Sequence, residues 1–263
     1  MLATIVPGNS STYIYNDERS YYEDYQTSYF AITKRKAGWD CLRHYEILAN
    51  GCIPLFEDLD DIPSKTMVHF PKQILKRIYE ENLYNEFDLK KYMYFSELLL
   101  EWTREHLTTI AMATFVLDTI GKTHHVKNLL YISDTEPDYL KTLMLHGFKE
   151  LYGKQCHDYP MVDHLYTDYN KDGCLYGKGM TYSKLLDKKE YREEKYDDNV
   201  NRLVKLHYFD IVVYGNIHRC DKLLHLVKKH YHNNEIVLLC GEDFHDVCVL
   251  HEHSDYHRFK REL

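Results

Sequence analysis

The sequence lacks a hydrophobic run long enough to cross a membrane. Its longest largely apolar stretch, residues 110–117, falls far short of the ~20 residues that a bilayer-spanning helix needs. The opening MLATIVPGNSSTYIYNDERS has neither the basic start nor the long apolar core of a secretion signal. A basic face is missing too: 33 Lys and Arg stand against 41 Asp and Glu, for a net charge of -8. The basic residues are dispersed or in short clusters, which excludes a duplex-binding surface and nucleic acid as a partner. Seven cysteines (Cys41, Cys52, Cys156, Cys174, Cys220, Cys240 and Cys248) include no CxxC pair, so they read as free thiols of a reducing compartment. The segment HEHSDYH sets His251, His253 and His257 near Cys248. With 17 histidines in the chain such spacing arises by chance, and the paired thiolates of structural zinc are absent. The expectation is a soluble, cytoplasmic protein that needs no metal.

What is present suits one large or two small globular domains: 263 residues, 44% hydrophobic and 28% charged. Residues 1–27 are polar and tyrosine-rich and read as an irregular arm or edge. A strand is expected over SYFAIT (28–33), then a basic loop KRKAG. Asp40 suits an N-cap, and a helix follows to Ala49, stopped by Asn50 and Gly51. CIPLF (52–56) has the composition of a buried strand. Residues 64–120 carry apolar residues at helical spacing, with Gly121 as a stop. This first segment is assigned residues 1–122, and a second α/β segment residues 123–263.

NLLYIS (128–133), FDIVVYG (209–215) and EIVLLCG (235–241) read as strands buried on both faces of a parallel sheet. The helix after Pro137 is expected to present Leu140, Leu143, Met144, Gly147, Phe148 and Leu151, with Gly147 allowing close approach to the sheet. GCLYGKGMTYS follows no apolar strand, so it reads as a surface loop. RFKREL is a candidate last strand. The fold class is therefore α/β, with Rossmann-like parallel sheets and flanking helices. Ligands of such sheets sit beyond the carboxyl ends of strands. By that rule Ser133 and Asp134, residues 216–219 and residues 242–246 share one edge with residues 34–40.

The stretch KRKAGWDCLRHYEILANGCIPLF raises the sharpest question: why an acidic protein puts three basic residues before a helix, then Arg43 and Glu46 inside it. A loop entering a helix offers free amides and the positive end of the dipole to an anion. Lys34, Arg35 and Lys36 raise the local potential, and Gly38 lets the backbone approach. Arg43 can fork onto a phosphate, and Glu46, three residues on, can accept from sugar hydroxyls. The pattern suits a nucleotide. A solvated intrahelical Arg43–Glu46 pair suits the same letters equally well.

SYFAITKRKAGWDCLRHYEILANGCIPLFEDLDDIP resembles the donor-binding segment of exostosin-like glycosyltransferases, a GT-B group. The shared pattern is an apolar strand, a glycine-bearing loop, Arg three residues before Glu, then Gly-Cys-Ile-Pro and an acidic turn. YISDTEPDYLKTLMLHGFKELYG, YGNIHR and LLCGEDFH are similar to exostosin-like proteins of large algal viruses, which would make the location a host cytoplasm. The resemblance implies a GT-B-like fold, donor ribose on Glu46 and diphosphate on Arg43. It also implies an inverting transfer from a nucleotide sugar, UDP-linked first, to a glycan or glycoprotein. The family's donor segment usually comes last and here comes first, so the chain is either circularly permuted or has its lobes exchanged.

In such an enzyme basic side chains and helix N-termini stabilise the leaving diphosphate, without an obligatory metal. Lys36, Arg43 and the backbone of Gly38, Trp39 and Asp40 are the candidates, with His218 and Arg219 also on the donor side. The general base that takes the acceptor proton is expected among Asp243, Glu242, His245 and Asp138, in that order. Asp58-Leu59-Asp60 supplies the letters of a metal-binding Asp-x-Asp, but within the acidic turn of the same pattern. Two other readings compete. One is a non-catalytic nucleotide- or carbohydrate-binding module. The other is a Rossmann methyltransferase, which would need a glycine-rich loop where SDTEPDY stands.

Overall fold

A computed structural model describes residues 2–171, 173, 175–243 and 255–262. The chain forms two compact units, Met1–Thr108 with Glu262–Leu263, and Thr109–Arg261.

Unit 1 is a small α/β assembly. Helix α1 (Glu18–Gln26) starts at Asp17, whose carboxylate accepts from the amide of Ser20 at 2.8 Å. Strand β1 (Phe30–Thr33) leads through the basic loop to α2 (Leu42–Ala49) and back to β2 (Ile53–Phe56), parallel to β1 with Phe30 opposite Ile53. Leu2 bridges to Phe30 on the other side of β1. Helices α3 (Lys72–Glu80) and α4 (Leu89–His106) close the core, where Phe30, Leu48, Ile53, Phe56, Leu75 and Phe95 meet. Two expectations need correcting. Residues 1–27 hold a helix rather than an irregular arm, because Tyr21 and Tyr25, one turn apart, both turn inward. The cap of α2 is Cys41, whose side chain caps no helix amide, because the Asp40 carboxylate instead accepts from the Tyr45 hydroxyl at 2.6 Å.

Unit 2 is a Rossmann-like α/β fold on a five-stranded parallel sheet. Helix α5 (Thr109–Thr119) precedes β3 (Leu129–Ile132), α6 (Tyr139–Tyr152) and β4 (Cys156–Tyr159). Two short helices, α7 (Lys188–Tyr191) and α8 (Val200–Lys205), come before β5 (Ile211–Tyr214). Helix α9 (Leu224–His230), β6 (Ile236–Cys240) and β7 (His257–Lys260) complete it. Strand order is β4-β3-β5-β6-β7, every pair parallel. Alternate residues supply the two faces. Leu129, Tyr131, Ile211, Val213, Val237 and Leu239 pack with α5 and α6. On the other face Leu130, Ile132, Val212, Tyr214, Ile236 and Leu238 pack with α8 and α9. This double burial is what the unbroken apolar runs imply.

Five features depart from expectation. The loop 34–40 belongs to the separate two-stranded sheet of unit 1, so it does not share the edge that the three later segments share. Helix α5 packs on α6 and so belongs with unit 2. Gly147 approaches α5 rather than the sheet: a Cβ there would stand 2.0 Å from the Thr109 carbonyl oxygen. Helix α6 is buried on more than one face, with Lys141, Thr142, Leu145 and Lys149 inside and Leu151 exposed. Lastly, Cys240 is disulfide-bonded, whereas Cys52, Cys156 and Cys220 are free thiols. No helix among the described residues is long and apolar enough to cross a membrane.

Candidate functional site

In unit 1 the site grows from the turn between β1 and α2. The Tyr21 hydroxyl donates to Glu46 Oε2 at 2.5 Å, and the Tyr25 hydroxyl donates to that of Tyr21 at 3.1 Å. Glu46 is only 8% exposed. Burial first, and the Glu46 carboxylate second, push the Tyr21 phenol well above its usual range, so it stays a donor. One turn back, Arg43 Nη2 donates to the Tyr13 hydroxyl at 3.1 Å, and its guanidinium lies 5.1 Å from the centre of the Tyr13 ring. Burial works to raise the Tyr13 phenol, but the Arg43 charge and hydrogen bond, with Lys36 behind them, hold it below its ordinary value. Arg43 Nε is buried without a partner among the described residues. The simple solvated Arg43–Glu46 pair is not what the helix presents: each side chain has its own tyrosine.

His44 pins this turn from behind. Its Nε2 donates to the Trp39 carbonyl at 2.9 Å, which fixes Nδ1 as acceptor of the Thr33 hydroxyl at 2.8 Å. Burial depresses its pKa to about 3, so the ring is neutral. Trp39 packs in the core of unit 1, with the Arg35 guanidinium 5.1 Å from its ring centre. Gly38 is buried, and its carbonyl accepts from the Lys36 amide at 3.1 Å. The Asp40 amide, expected to face a phosphate, donates to Glu262 Oε1 at 2.8 Å. Lys34 pairs with Glu57 at 3.2 Å.

The remaining described candidates lie in unit 2, beyond the carboxyl ends of β3, β5 and β6. Arg219 Nε donates to Glu242 Oε1 at 2.8 Å, and its Nη1 lies 3.6 Å from Asp138 Oδ2. The Asn216 amide nitrogen donates to Glu242 Oε1 at 3.3 Å. Burial works to raise the Glu242 carboxyl, but those bonds and the Arg219 charge hold it below the usual carboxylate range. That makes it a weaker base. Asp138 caps α6, accepting from the Lys141 amide at 3.1 Å. Asp243 is ion-paired with Arg261, whose Nη1 also donates to the Tyr139 hydroxyl at 2.5 Å. His218 stands beside Glu242. His245, with His251, His253, Cys174 and Cys248, lies outside the described residues.

The structure thus gathers Lys36, Gly38, Trp39, Asp40, Arg43 and Glu46 in unit 1. His218 and Arg219 join Asp138 and Glu242 in unit 2. Among the described residues no cluster of three or more His, Cys, Asp or Glu is arranged to hold a metal ion. Asp58 and Asp60 diverge: Asp58 accepts from the Arg35 amide at 3.1 Å, and Asp60 pairs with Lys76 at 2.6 Å. Sequence reasoning missed Tyr13, Tyr21, Tyr25 and His44. The available signal was Asp17 as a cap before tyrosines spaced i, i+4.

No family model, curated protein or solved structure matches this chain. Its class therefore rests on the fold, a Rossmann-like α/β protein carrying a second, smaller α/β unit.

Proposed function

We propose that the protein is a glycosyltransferase that moves a sugar from a nucleotide-sugar donor, UDP-linked first, to a hydroxyl of a glycan or glycoprotein. The observation that carries this reading is the pair Arg43 and Glu46, one turn apart on α2, each held by a tyrosine, buried Tyr21 for Glu46 and exposed Tyr13 for Arg43. A guanidinium for diphosphate and a carboxylate for ribose at that spacing match the exostosin-like pattern of the same residues. The GT-B-like architecture, the inverted configuration, the independence from metal and the permuted order belong to the same proposal.

In the transfer, the acceptor oxygen bonds to the anomeric carbon as the bond from that carbon to the diphosphate oxygen breaks. The electron pair leaves with the diphosphate, where Arg43 and Lys36 offset the developing charge. The acceptor proton passes to a general base. Asp243 remains first choice, since its carboxylate is 40% exposed, with Glu242, Asp138 and His245 behind it. The non-catalytic binding module is the second reading. It is favoured by the engagement of all three acidic candidates with arginines, Asp243 with Arg261 and both Glu242 and Asp138 with Arg219.

Release of free nucleoside diphosphate from UDP- and GDP-sugars, with a glycan acceptor and with or without Mn²⁺, tests the proposal. Release that falls at least about tenfold in Asp243→Asn, while donor binding is kept, supports transfer with Asp243 as base. Binding without release under every condition favours the module. Binding lost on adding S-adenosylmethionine would favour the methyltransferase.

A further inference from the structure

The strand order of unit 2 has a consequence independent of any donor in unit 1. Counted within the unit, β4-β3-β5-β6-β7 is second, first, third, fourth, fifth, so the connections from β3 and β5 leave toward opposite edges of the sheet. Doubly wound sheets take ligands where the order reverses, beyond the carboxyl ends of the two strands. In this chain that point lies after Ile132 and Tyr214.

Buried acceptors without donors collect there. Asn216, at 1% exposure, has its amide nitrogen on Glu242, so the orientation of the amide is fixed and its Oδ1 points away from that carboxylate. Oδ1 has no partner among the described residues. The Asp134 carboxylate accepts through Oδ1 from the Glu136 amide at 2.8 Å and from the Lys141 ammonium, whereas its Oδ2 is buried without a donor. His218 Nδ1 is likewise buried and unpartnered. Such groups are costly to bury unless something satisfies them. The two glycines that follow β5 and β6 keep the edge open and rigid: a Cβ on Gly215 would stand within 2.5 Å of the Tyr131 ring, and one on Gly241 2.9 Å from Leu140.

Charge decides what fits. Asp134, Asp138 and Glu242 face Lys141 and Arg219, three carboxylates against two cations. A phosphate would meet the excess carboxylate, and Asp138 already caps the start of α6. A divalent cation would meet an ammonium and a guanidinium that already hold those carboxylates. Neutral hydroxyl donors satisfy the orphaned acceptors without either conflict. We propose that the β3–β5 switch point of unit 2 binds an uncharged vicinal diol, the group borne by a sugar ring, through Asp134 Oδ2 and Asn216 Oδ1. Arg219, its side chain 41% exposed, forms the rim.

Binding to the full chain is measured with methyl glycosides of glucose, galactose and mannose, with their singly deoxygenated analogues, and with uridine. The expected result is that at least one diol binds, that deoxygenation weakens it, and that Asn216→Ala weakens it about tenfold. Glycosides obeying that pattern identify a glycan source, and uridine obeying it a nucleoside. A probe whose binding survives intact in Asn216→Ala reports another site and counts against the inference. An amide shift map of the unmutated chain guards against a variant that fails to fold, with the largest shifts expected at Gly215, Asn216 and Gly241. No binding of any probe, meaning that water alone fills these acceptors, or shifts confined elsewhere, would overturn it.

Discussion

The hydroxyl of Tyr21 donates to Glu46 Oε2 at 2.5 Å inside unit 1. A carboxylate with one oxygen so held is fixed in direction, and the helix that holds it starts at the turn after β1. Tyr21→Phe removes the donor and leaves a buried acceptor short of one bond. The expected cost is about 1–3 kcal/mol in unit 1, read by urea unfolding, together with weaker nucleotide binding. Parent-like stability and binding would show that the contact orients nothing.

Acid should unfold unit 1 through His44. Its folded pKa is about 3 against an ordinary 6.5. The neutral ring's contribution is thus complete above pH ~6.5 and is lost as pH falls from there toward 3, since the unfolded chain takes up the proton first. The slope approaches about 1.4 kcal/mol per pH unit. Trp39 and Trp102, the chain's two tryptophans, both lie in unit 1, so their fluorescence follows that unit. Half-buried His69 is depressed by its burial and acts in the same direction. Between pH ~6.5 and ~5, above the carboxylate range, His44→Gln should flatten the stability curve. Parallel curves for parent and variant would contradict the assignment.

Gly147 allows helices α5 and α6 to touch. With a Cβ 2.0 Å from the Thr109 carbonyl oxygen, Gly147→Ala must part the helices. A loss at the upper end of the ~1–3 kcal/mol range of overpacking is expected for unit 2, by circular dichroism during urea unfolding. An unchanged midpoint would mean that the contact is looser than described.

Lys149 and Asp158 form a wholly buried pair at 2.8 Å. Arg192 and the Tyr166 hydroxyl also reach Asp158 Oδ1, at 3.3 Å and 2.8 Å. Lys149→Met leaves Asp158 undercompensated in an apolar setting and should cost about 3–5 kcal/mol. A loss below ~1 kcal/mol would indicate that Arg192 suffices.

The same pair explains what the sequence concealed. Strand β4 reads CHDY, with His157 and Asp158 where a buried strand usually carries branched apolar residues. The Asp158 carboxylate is held by Lys149, Arg192 and Tyr166, all outside the strand, so no pattern within β4 announces it. By contrast, β3, β5 and β6 are apolar on both faces and were legible, as was the strand near RFKREL. Helix α1 was hidden by polarity, since tyrosines on an otherwise charged segment do not stand out as a buried face. At the candidate site, the letters of Arg43 and Glu46 were visible, but their tyrosine partners lie 30 and 25 residues away. Asp40 shows how one contact redirects a residue: the pull of Tyr45 and the amide bond to Glu262 outweigh its preference for a cap.

The central claim is that the turn from β1 into α2 binds a nucleotide sugar, and a thermal-shift panel tests it most directly. UDP, GDP, UDP-glucose, UDP-galactose, UDP-xylose, GDP-mannose and GDP-fucose are each added to the parent, to Arg43→Ala and to Glu46→Ala. A ligand held by the native state at a hundredfold excess over its Kd adds about 2.7 kcal/mol of stability. The account predicts a rise in Tm with one nucleotide series, strongly reduced in both variants. A shift that survives intact in both would contradict the site, and no shift with any of the seven would contradict donor binding itself.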